Sequence, residues 1–240
     1  MDFEYEINKW WISNGEKLIE YADAIIFLLF LIAVLYIFIF SLASLKKTRN
    51  KYPPARKKYR FAVLFPVYQG ETVIVNSVCS FLEQDYPLYM YEVIVITDSM
   101  QEKTVQTLKT LPSITVLEAG YAQSTKTNAL RLAMDYLSTK TEKYDMVVIM
   151  DADNIVNTSF LNKLNDAYYS GCLAIQTHRV AKNRNTSTAV LDAVSEEINN
   201  SIFRSGHTHL GFSSALIGSG MAFDYDWFKQ YIYKAAHVGV

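Results

Sequence analysis

Residues 144–153 read YDMVVIMDAD, an apolar run that ends in two carboxylates, Asp151 and Asp153. A short apolar run with few charges is typical of a strand that is buried on both faces of a parallel sheet. The carboxylates follow the apolar residues directly, so they emerge where the strand leaves the sheet. This stretch therefore predicts an α/β fold with a polar site at the carboxyl end of a strand.

The same pattern recurs on both sides of this stretch. Four further runs predict strands: FAVLFPVY (61–68), YEVIVITD (91–98), SITVLEA (113–119) and CLAIQTHRV (172–180). Stretches with helical periodicity lie between the runs, at residues 72–84, 103–111, 125–138 and 159–170. Because strands and helices alternate, the crossovers are right-handed and the sheet is mainly parallel and covered by helices.

Polar residues cluster at three predicted strand ends, residues 66–71, 97–99 and 151–154. Ligands of such sheets bind beyond the carboxyl ends of the strands. Two neighbouring carboxylates are suitable ligands for Mg2+ or Mn2+, with water and a substrate diphosphate completing the coordination. The alternative for this pair is a cap on the helix that follows near 157–159.

Two other side chains are candidates for the same ligand. Lys126, in STKTNAL, opens a predicted helix, where a lysine and free amide donors can both face an anion. An exposed lysine at a helix start is the alternative, and the absence of Walker glycines excludes a P-loop nucleotidase. Tyr68, at the end of the first strand, can stack on a base or pack against the strand.

The composition restricts the class of protein. The chain has 240 residues, of which 50% are hydrophobic and 20% charged. These values exclude a disordered or collagen-like protein and allow one compact domain with an appendage. Two cysteines, Cys79 and Cys172, are too few for a disulfide framework, and the sequence lacks clustered zinc ligands.

Residues 24–45 form an uncharged apolar run of 22 residues. As a helix it crosses a hydrocarbon core of ~30 Å, although a buried helix of a soluble domain is the alternative. Segment 46–60 holds eight basic and no acidic residues, an excess that stays on the cytoplasmic side. We therefore expect a single-pass protein of the inner (plasma) membrane, with residues 1–23 as an extracytoplasmic leader and 46–60 as a basic juxtamembrane linker. Topology and anionic-lipid contact explain this linker, so no nucleic-acid partner is expected.

Five motifs occur in a characteristic order: FPVY, VIVITDS, KTNAL, DAD and GSGMAF. Together they resemble family-2 glycosyltransferases with a GT-A fold, most of all the membrane-bound cellulose-synthase-like or poly-N-acetylglucosamine-synthase-like bacterial members. The resemblance spans about residues 61–228. It implies a GT-A-like, Rossmann-like domain over 61–240, incomplete at its C-terminus.

The resemblance also implies roles for individual residues. Those implied to hold the nucleotide sugar are Pro66, Tyr68 and Asp98 around the base and ribose, Lys126 at the nucleotide end, and Asp151 at the ribose or diphosphate. Asp153, together with Asp151, is implied to bind the divalent cation. The residues implied to lie beneath the acceptor sugar are Gly218, Ser219 and Gly220.

The sequence departs from the family pattern at several places. Gln69 and Gly70 occupy positions where an Asn-Glu or Lys-Glu pair is usual, with an acidic group next door at Glu71, and Thr97 replaces the first of two aspartates. The catalytic base of the family, the Asp of a Glu-Asp pair, is expected beyond Val240, as is the Gln-x-x-Arg-Trp motif. The alternative bases within the chain are Asp224 and Asp226.

These expectations combine into one function. A membrane-anchored inverting glycosyltransferase, or its N-terminal portion, would transfer a sugar from a nucleoside-diphosphate sugar, with UDP favoured, to a polysaccharide or lipid-linked acceptor. The alternatives are a truncated non-catalytic protein that binds nucleotide sugar or pairs with an intact synthase subunit and, less favoured, a nucleotidyltransferase.

Overall fold

The computed structural model describes residues 2–46, 52–120 and 124–234. The strands are β1 (Phe61–Tyr68), β2 (Tyr91–Asp98), β3 (Ile114–Ala119), β4 (Met146–Ile149), β5 (Ala174–Gln176) and β6 (Met221–Asp224). The α-helices are α1 (Asp2–Ser44), α2 (Ile74–Leu82), α3 (Glu102–Thr110), α4 (Lys126–Ser138), α5 (Phe160–Tyr169), α6 (Ser187–Ile198), α7 (His207–His209) and α8 (Tyr225–Lys234). A 3-10 turn covers Leu88–Met90, and a π-helix covers Asn199–Gly206.

The chain divides into two compact units. The helical unit comprises Met1–Lys47 and Val180–Ser214, and the sheet unit comprises Thr48–Arg179 and Ala215–Val240. This division separates 180–214 from the rest of the 61–240 segment that the sequence predicts as one domain.

The sheet unit is built on a mixed six-stranded sheet with the order β3-β2-β1-β4-β6-β5, as far as the described residues extend. The strands β1, β2, β3 and β4 pair in parallel, whereas β6 is antiparallel to both β4 and β5. The predicted α/β class with a mainly parallel sheet is therefore confirmed, with one reversed strand that the sequence analysis does not predict.

Helices cover both faces of the sheet, which explains why β1 is apolar at successive positions. On one face the strand residues Phe61, Val63 and Phe65 belong to a cluster with Ile74, Val78, Phe81, Leu161 and Leu164. On the other face Ala62 and Leu64 belong to a cluster with Ala133, Met134, Phe228 and Ile232. The core therefore consists of two layers, with β1 contributing alternate residues to each.

The predicted strands and helices occur in the predicted order, and β1 and β2 have the predicted bounds. The predicted run 172–180 is reduced to β5 because this edge strand pairs with β6 over three residues. Helix α4 begins where predicted, since the Thr125 hydroxyl caps it by accepting a hydrogen bond from Asn128 N at 3.1 Å.

The helical unit is dominated by α1, which has 43 residues and is about 65 Å long at a rise of ~1.5 Å per residue. It continues through the predicted leader without a break. Of the helices in the described ranges, one, over Lys9–Ser44, is long and apolar enough to cross a membrane, and only 6% of its most apolar window is buried. Its length exceeds the ~30 Å of a hydrocarbon core, so part of α1 extends beyond any bilayer it crosses.

The C-terminal half of α1 packs against the segment 199–212. The His207 ring stacks on Phe40 with 4.0 Å between centroids, and Tyr36 Oη lies 2.7 Å from His207 Nε2. A Cβ added at Gly206 would lie 2.5 Å from the Phe40 carbonyl oxygen, so the two backbones are in close contact. Arg204 Nη1 donates to Glu196 Oε1 at 2.9 Å and also contacts Asn200 Oδ1, which fixes the π-helix to the end of α6.

Candidate functional site

The sheet register brings four strand ends to one edge. Tyr68 and Asp98, the last residues of β1 and β2, are paired. The last residue of β4, Ile149, is paired with Met221, the first residue of β6. Because β6 is reversed, the loop that precedes it lies at the same edge as the segments that follow the parallel strands. Every predicted site residue belongs to this part of the sheet unit.

Lys126 joins two predicted site segments. Its Nζ atom lies 2.6 Å from Asp151 Oδ1 and 2.6 Å from the carbonyl oxygen of Gly218. The first contact is an ion pair between side chains that are each 40% exposed. The structure therefore brings together the lysine at the start of α4, the first carboxylate after β4 and the loop before β6.

Ser219 and Asn154 hold the turn that carries the carboxylates. The Asp151 backbone N–H donates to Ser219 Oγ at 2.9 Å and to Asn154 Oδ1 at 3.2 Å. The fully buried Ser219 hydroxyl donates to Asn154 Oδ1, and Asn154 Nδ2 donates to Asp153 Oδ1 at 3.2 Å. The Ser219 hydroxyl therefore faces the carboxylate turn, although the resemblance implies a role for this loop beneath the acceptor.

Sequence reasoning gives Asn154 no individual role, although its place directly after the carboxylates is a signal. It misses Gln176 altogether. Gln176 Nε2 donates to the Ser219 carbonyl at 3.0 Å, and its Oε1 accepts from Ile217 N at 2.9 Å. Thr177 Oγ1 donates to the Gly220 carbonyl at 2.7 Å. These contacts fix the loop from the β5 side, and they depend on the pairing of β5 with β6.

The other side of the site is formed by the ends of β1 and β2. Tyr68 is 58% exposed, so its ring is available for stacking, whereas Asp98 is buried and accepts a hydrogen bond from Ser99 Oγ at 3.0 Å. Gln69 and Ser99 have positive φ angles, 48° and 53°. Left-handed backbone at non-glycine residues is uncommon and clusters at functional sites, which agrees with a binding role for these two turns.

The departures Gly70 and Glu71 have structural explanations. A Cβ at Gly70 would lie 2.6 Å from Val67 Cγ1 and 3.4 Å from Ala152 Cβ. An added methyl at this position would therefore collide with the Val67 side chain of β1, whereas it would only touch Ala152 of the carboxylate turn. Glu71 Oε1 accepts a hydrogen bond from Gln101 N at 3.2 Å, which joins the turns after β1 and β2.

Pro66 lies inside β1 without breaking the sheet. The Leu64 carbonyl accepts from Met150 N at 2.9 Å, and the pairing of β1 with β4 ends at Leu64. Two residues later, Pro66 faces the same side, where no strand requires an N–H donor from it. Its position near the strand end thus follows from the short length of β4.

A divalent cation fits the chemistry of this edge but needs ligands from elsewhere. Within the ranges 2–46, 52–120 and 124–234, no group of three or more His, Cys, Asp or Glu side chains is arranged to hold a metal ion. Asp151 and Asp153 offer carboxylate oxygens, and Asp153 is exposed. Mg2+ and Mn2+ prefer such hard oxygen ligands, and Mg2+ in particular commonly completes its shell with water and substrate phosphate.

Asp224 lies at the opposite edge of the sheet. It ends β6 and pairs with Met146, the first residue of β4. Its Oδ1 accepts from Trp227 N at 2.9 Å at the start of α8, and its Oδ2 accepts from the Tyr168 hydroxyl at 2.6 Å. Because β6 is reversed, this carboxylate faces away from the site, which argues against the alternative in which it serves as the base.

The mixed sheet, with reversed β6 and polar strand ends at one edge, has the architecture of the GT-A class. The family Glycosyl transferase family 2 matches residues 62–232. The chain belongs to this family, as the ordered motifs indicate. No curated protein matches the chain.

Solved structures agree on the fold. The mannosyltransferase PcManGT from Pyrobaculum calidifontis, in complex with GDP-Man and Mn2+, superposes with a TM-score of 0.62 at 20% identity, over 82% of this chain and 53% of that chain. TarS residues 1–349 from S. aureus give a TM-score of 0.52 at 15% identity, over 72% and 49%. The same TarS segment in complex with UDP gives 0.53 at 17% identity, over 72% and 48%. The chain therefore spans about half the length of these structures.

Proposed function

We propose that the sheet unit binds a nucleoside-diphosphate sugar, with UDP favoured, and that the protein transfers the sugar with inversion to a polysaccharide or lipid-linked acceptor. The observation that carries the proposal is Lys126, which contacts both Asp151 and the Gly218 carbonyl in a family-2 domain. One cationic group thereby connects the carboxylate turn to the loop implied to lie beneath the acceptor.

The proposed roles follow from the chemistry of each group. Tyr68 stacks on the base, and Asp98 accepts hydrogen bonds from the base or ribose. Lys126 neutralises diphosphate oxygens. The bound phosphate replaces part of the contact between Lys126 and Asp151. Asp151 and Asp153 hold Mg2+ or Mn2+, and such an ion stabilises the charge that develops on a departing diphosphate.

The acceptor hydroxyl must lose a proton as it attacks the anomeric carbon. A positioned carboxylate contributes typically ~10²–10⁴-fold to such a step. The family resemblance assigns this base to a Glu-Asp pair beyond Val240, and this assignment remains a prediction. Ser219, Asn154 and Gln176 act as positioning residues, because their contacts hold the carboxylate turn and the acceptor-side loop together.

The comparisons support the choice of donor class. PcManGT is solved with GDP-Man and Mn2+, and TarS with UDP, so structures of this fold hold a nucleoside diphosphate group with either base. We propose that α1 anchors the protein in the inner membrane, with residues 1–23 outside and the basic linker 46–60 inside. We also propose that the protein pairs with a synthase subunit.

Calorimetric titration tests the donor site. The detergent-solubilised chain is titrated with UDP and with GDP, with and without Mn2+, alongside the variants Asp153→Asn and Lys126→Met. We expect Mn2+-dependent binding of UDP that weakens at least tenfold in both variants. The control variant Asp192→Asn carries the same change at an exposed position on α6 and should bind like the wild type.

Three outcomes would contradict this proposal. Binding that is equally strong in wild type and Asp153→Asn would exclude the carboxylate turn as the metal site. Release of pyrophosphate from a nucleoside triphosphate and a sugar phosphate would instead identify a nucleotidyltransferase. Nucleotide binding without sugar transfer by the full-length protein would favour a binding module.

A further inference from the structure

Helix α6 carries an exposed apolar stripe. As far as the helix is described, none of its residues is buried. Leu191 is 69% exposed and Val194 is 51% exposed, and Val190 and Ile198 are exposed as well. Val194 and Ile198 follow the adjacent pair Val190 and Leu191 at intervals of three to four residues, so the four positions fall on one helix face. An amphipathic helix normally turns such a face toward an apolar partner.

The stripe continues into a groove between α6 and the end of α1. The groove has a volume of about 490 Å³, and its apolar walls are formed by Phe38, Leu42, Leu45, Val194, Ile198 and Ile202. Glu197 is the charged residue of its wall. The groove therefore combines the lower part of the apolar helix α1 with the exposed stripe of α6.

The walls of the groove come from the C-terminal half of α6 with the start of the π-helix, and from the end of α1. Residues 194–202 face residues 38–45 across the groove, whereas Phe203 and His207, further along, stack on Tyr36 and Phe40. The C-terminal half of α6 therefore lies beside the C-terminal end of α1. Lys46, which follows the groove residue Leu45, is exposed, and so are Lys182 and Arg184, which precede α6 in the chain.

We infer that the stripe and groove bind the acyl chains of anionic phospholipids in the leaflet at the C-terminal end of α1. The apolar walls contact the acyl chains, and the three basic side chains meet the phosphate headgroups, which supplies the charge complementarity for an anionic lipid. The surface is continuous with α1, whose side chains are exposed over the apolar run. The inference rests on the proposed membrane anchoring by α1 and assigns α6 as a second membrane contact.

A lipid-quenching experiment tests this assignment. In the full chain with Cys79→Ser and Cys172→Ser, an environment-sensitive fluorophore is attached at Leu191→Cys, at Ile32→Cys on the apolar part of α1, or at Asp192→Cys on the polar side of α6. The proteins are reconstituted into vesicles of phosphatidylcholine with or without phosphatidylglycerol. Acyl-chain spin labels report lipid contact, and aqueous iodide reports exposure to water.

We expect the probes at 32 and 191 to be quenched by the spin-labelled lipid, and the probe at 192 by iodide. Quenching at 191 should increase with phosphatidylglycerol, and the pair Lys182→Gln and Arg184→Gln should remove this increase. If the probe at 191 behaves like the probe at 192 while the probe at 32 is quenched by lipid, this inference is overturned and the proposed anchoring by α1 is unaffected.

Other outcomes separate the remaining possibilities. If the probe at 191 is protected from both quenchers, protein covers the stripe and the inference is wrong. If the probe at 32 is not quenched by lipid, the membrane anchoring itself fails and this inference fails with it. Equal quenching at 191 in both vesicle types would overturn the anionic-headgroup part.

Discussion

Phenylalanine occurs in β1 and in α1, in sequences of similar apolar character. Phe61 and Phe65 of β1 are fully buried, whereas Phe30 of α1 is 68% exposed. In the sheet unit, helices cover both faces of the strand. In the helical unit, most apolar side chains of α1 lie at the surface of the protein, although Phe40 is buried.

The two regions therefore differ in what supplies the apolar environment that a phenylalanine ring needs. Burying a phenylalanine side chain is worth about 1.5–3 kcal/mol whether the environment is protein or lipid. The sheet supplies this environment from its own helices, so its stability resides in the fold. Under the proposed anchoring, a bilayer supplies the apolar environment for the exposed surface of α1. Phenylalanine there holds the protein at the membrane and does not stabilise the fold.

The largest expected effect comes from removing the ring in each region. Phe65→Ala should lower the free energy of unfolding by about 3–5 kcal/mol because the ring packs edge-on against Phe81 in the core. Phe30→Ala should leave the unfolding of the sheet unchanged. Urea unfolding in detergent, followed by near-ultraviolet circular dichroism, measures both.

The comparison would break if both alanine variants shifted the urea midpoint equally. That result would mean that the sheet unit depends on side chains of α1 as much as on its own core.

A second prediction concerns close packing within the helical unit. Gly206→Ala should destabilise the contact with α1 by about 1–3 kcal/mol, since the added methyl meets the Phe40 backbone at 2.5 Å. Hydrogen exchange of 199–209 should accelerate, while β1 and β2 stay protected. Gly15→Ala is the matched control, because its methyl meets only the movable ring of Trp11, and it should leave exchange of 199–209 as in the wild type.

A third prediction tests a polar group of the sheet unit. Burial alone would raise the pKa of Glu92, but hydrogen bonds from Tyr144, Thr115 and Tyr136, together with the charge of Lys140, outweigh it and lower the pKa. A lowered pKa stabilises the fold above the unfolded-state value of about 4.3, and this stabilisation is lost as pH falls through the folded-state value. Below about pH 4.3 the wild type should therefore lose stability more steeply than Glu92→Gln.

The control for this pH dependence is Glu83→Gln at an exposed position, which should follow the wild-type curve. Parallel curves for wild type and Glu92→Gln between pH 5 and the acid transition would show that the hydroxyl cluster does not favour the charged carboxyl.

The smallest effect is expected at the surface of the sheet unit. Lys109 Nζ and Glu118 Oε1 lie 2.5 Å apart, with side chains 40% and 54% exposed. Such solvated pairs usually contribute little to stability. Lys109→Ala should leave the thermal midpoint unchanged within error, and a shift comparable to that of Glu92→Gln would contradict this.

Much of the sheet unit could be predicted from sequence because its signals are local. The apolar runs of β1 and β2 coincide with strands buried on both faces, and Thr125 marks the start of α4. The reversal of β6 could not be predicted from its four residues, since it depends on pairing with β4 and β5. The role of Gln176 could not be predicted either, since its contacts depend on the pairing of β5 with β6.

The candidate site shows the same limit. The order of motifs singled out Lys126 and Asp151, and these two side chains form an ion pair. The orientation of the Ser219 hydroxyl toward the Asp151 backbone depends on tertiary contacts that no periodicity contains. The division of the chain at 180–214 likewise follows from contacts of His207 and Gly206 with α1, which are distant in sequence.

The reversed strand β6 also has a consequence during synthesis of the protein. β1, β2, β3 and β4 are all translated by residue 149, but β6 pairs with β4 only after residue 224 has left the ribosome. In the interval the β4 edge lacks its partner, and an unpaired strand edge is prone to aggregation. We therefore expect the nascent chain to bind a chaperone over this stretch of translation.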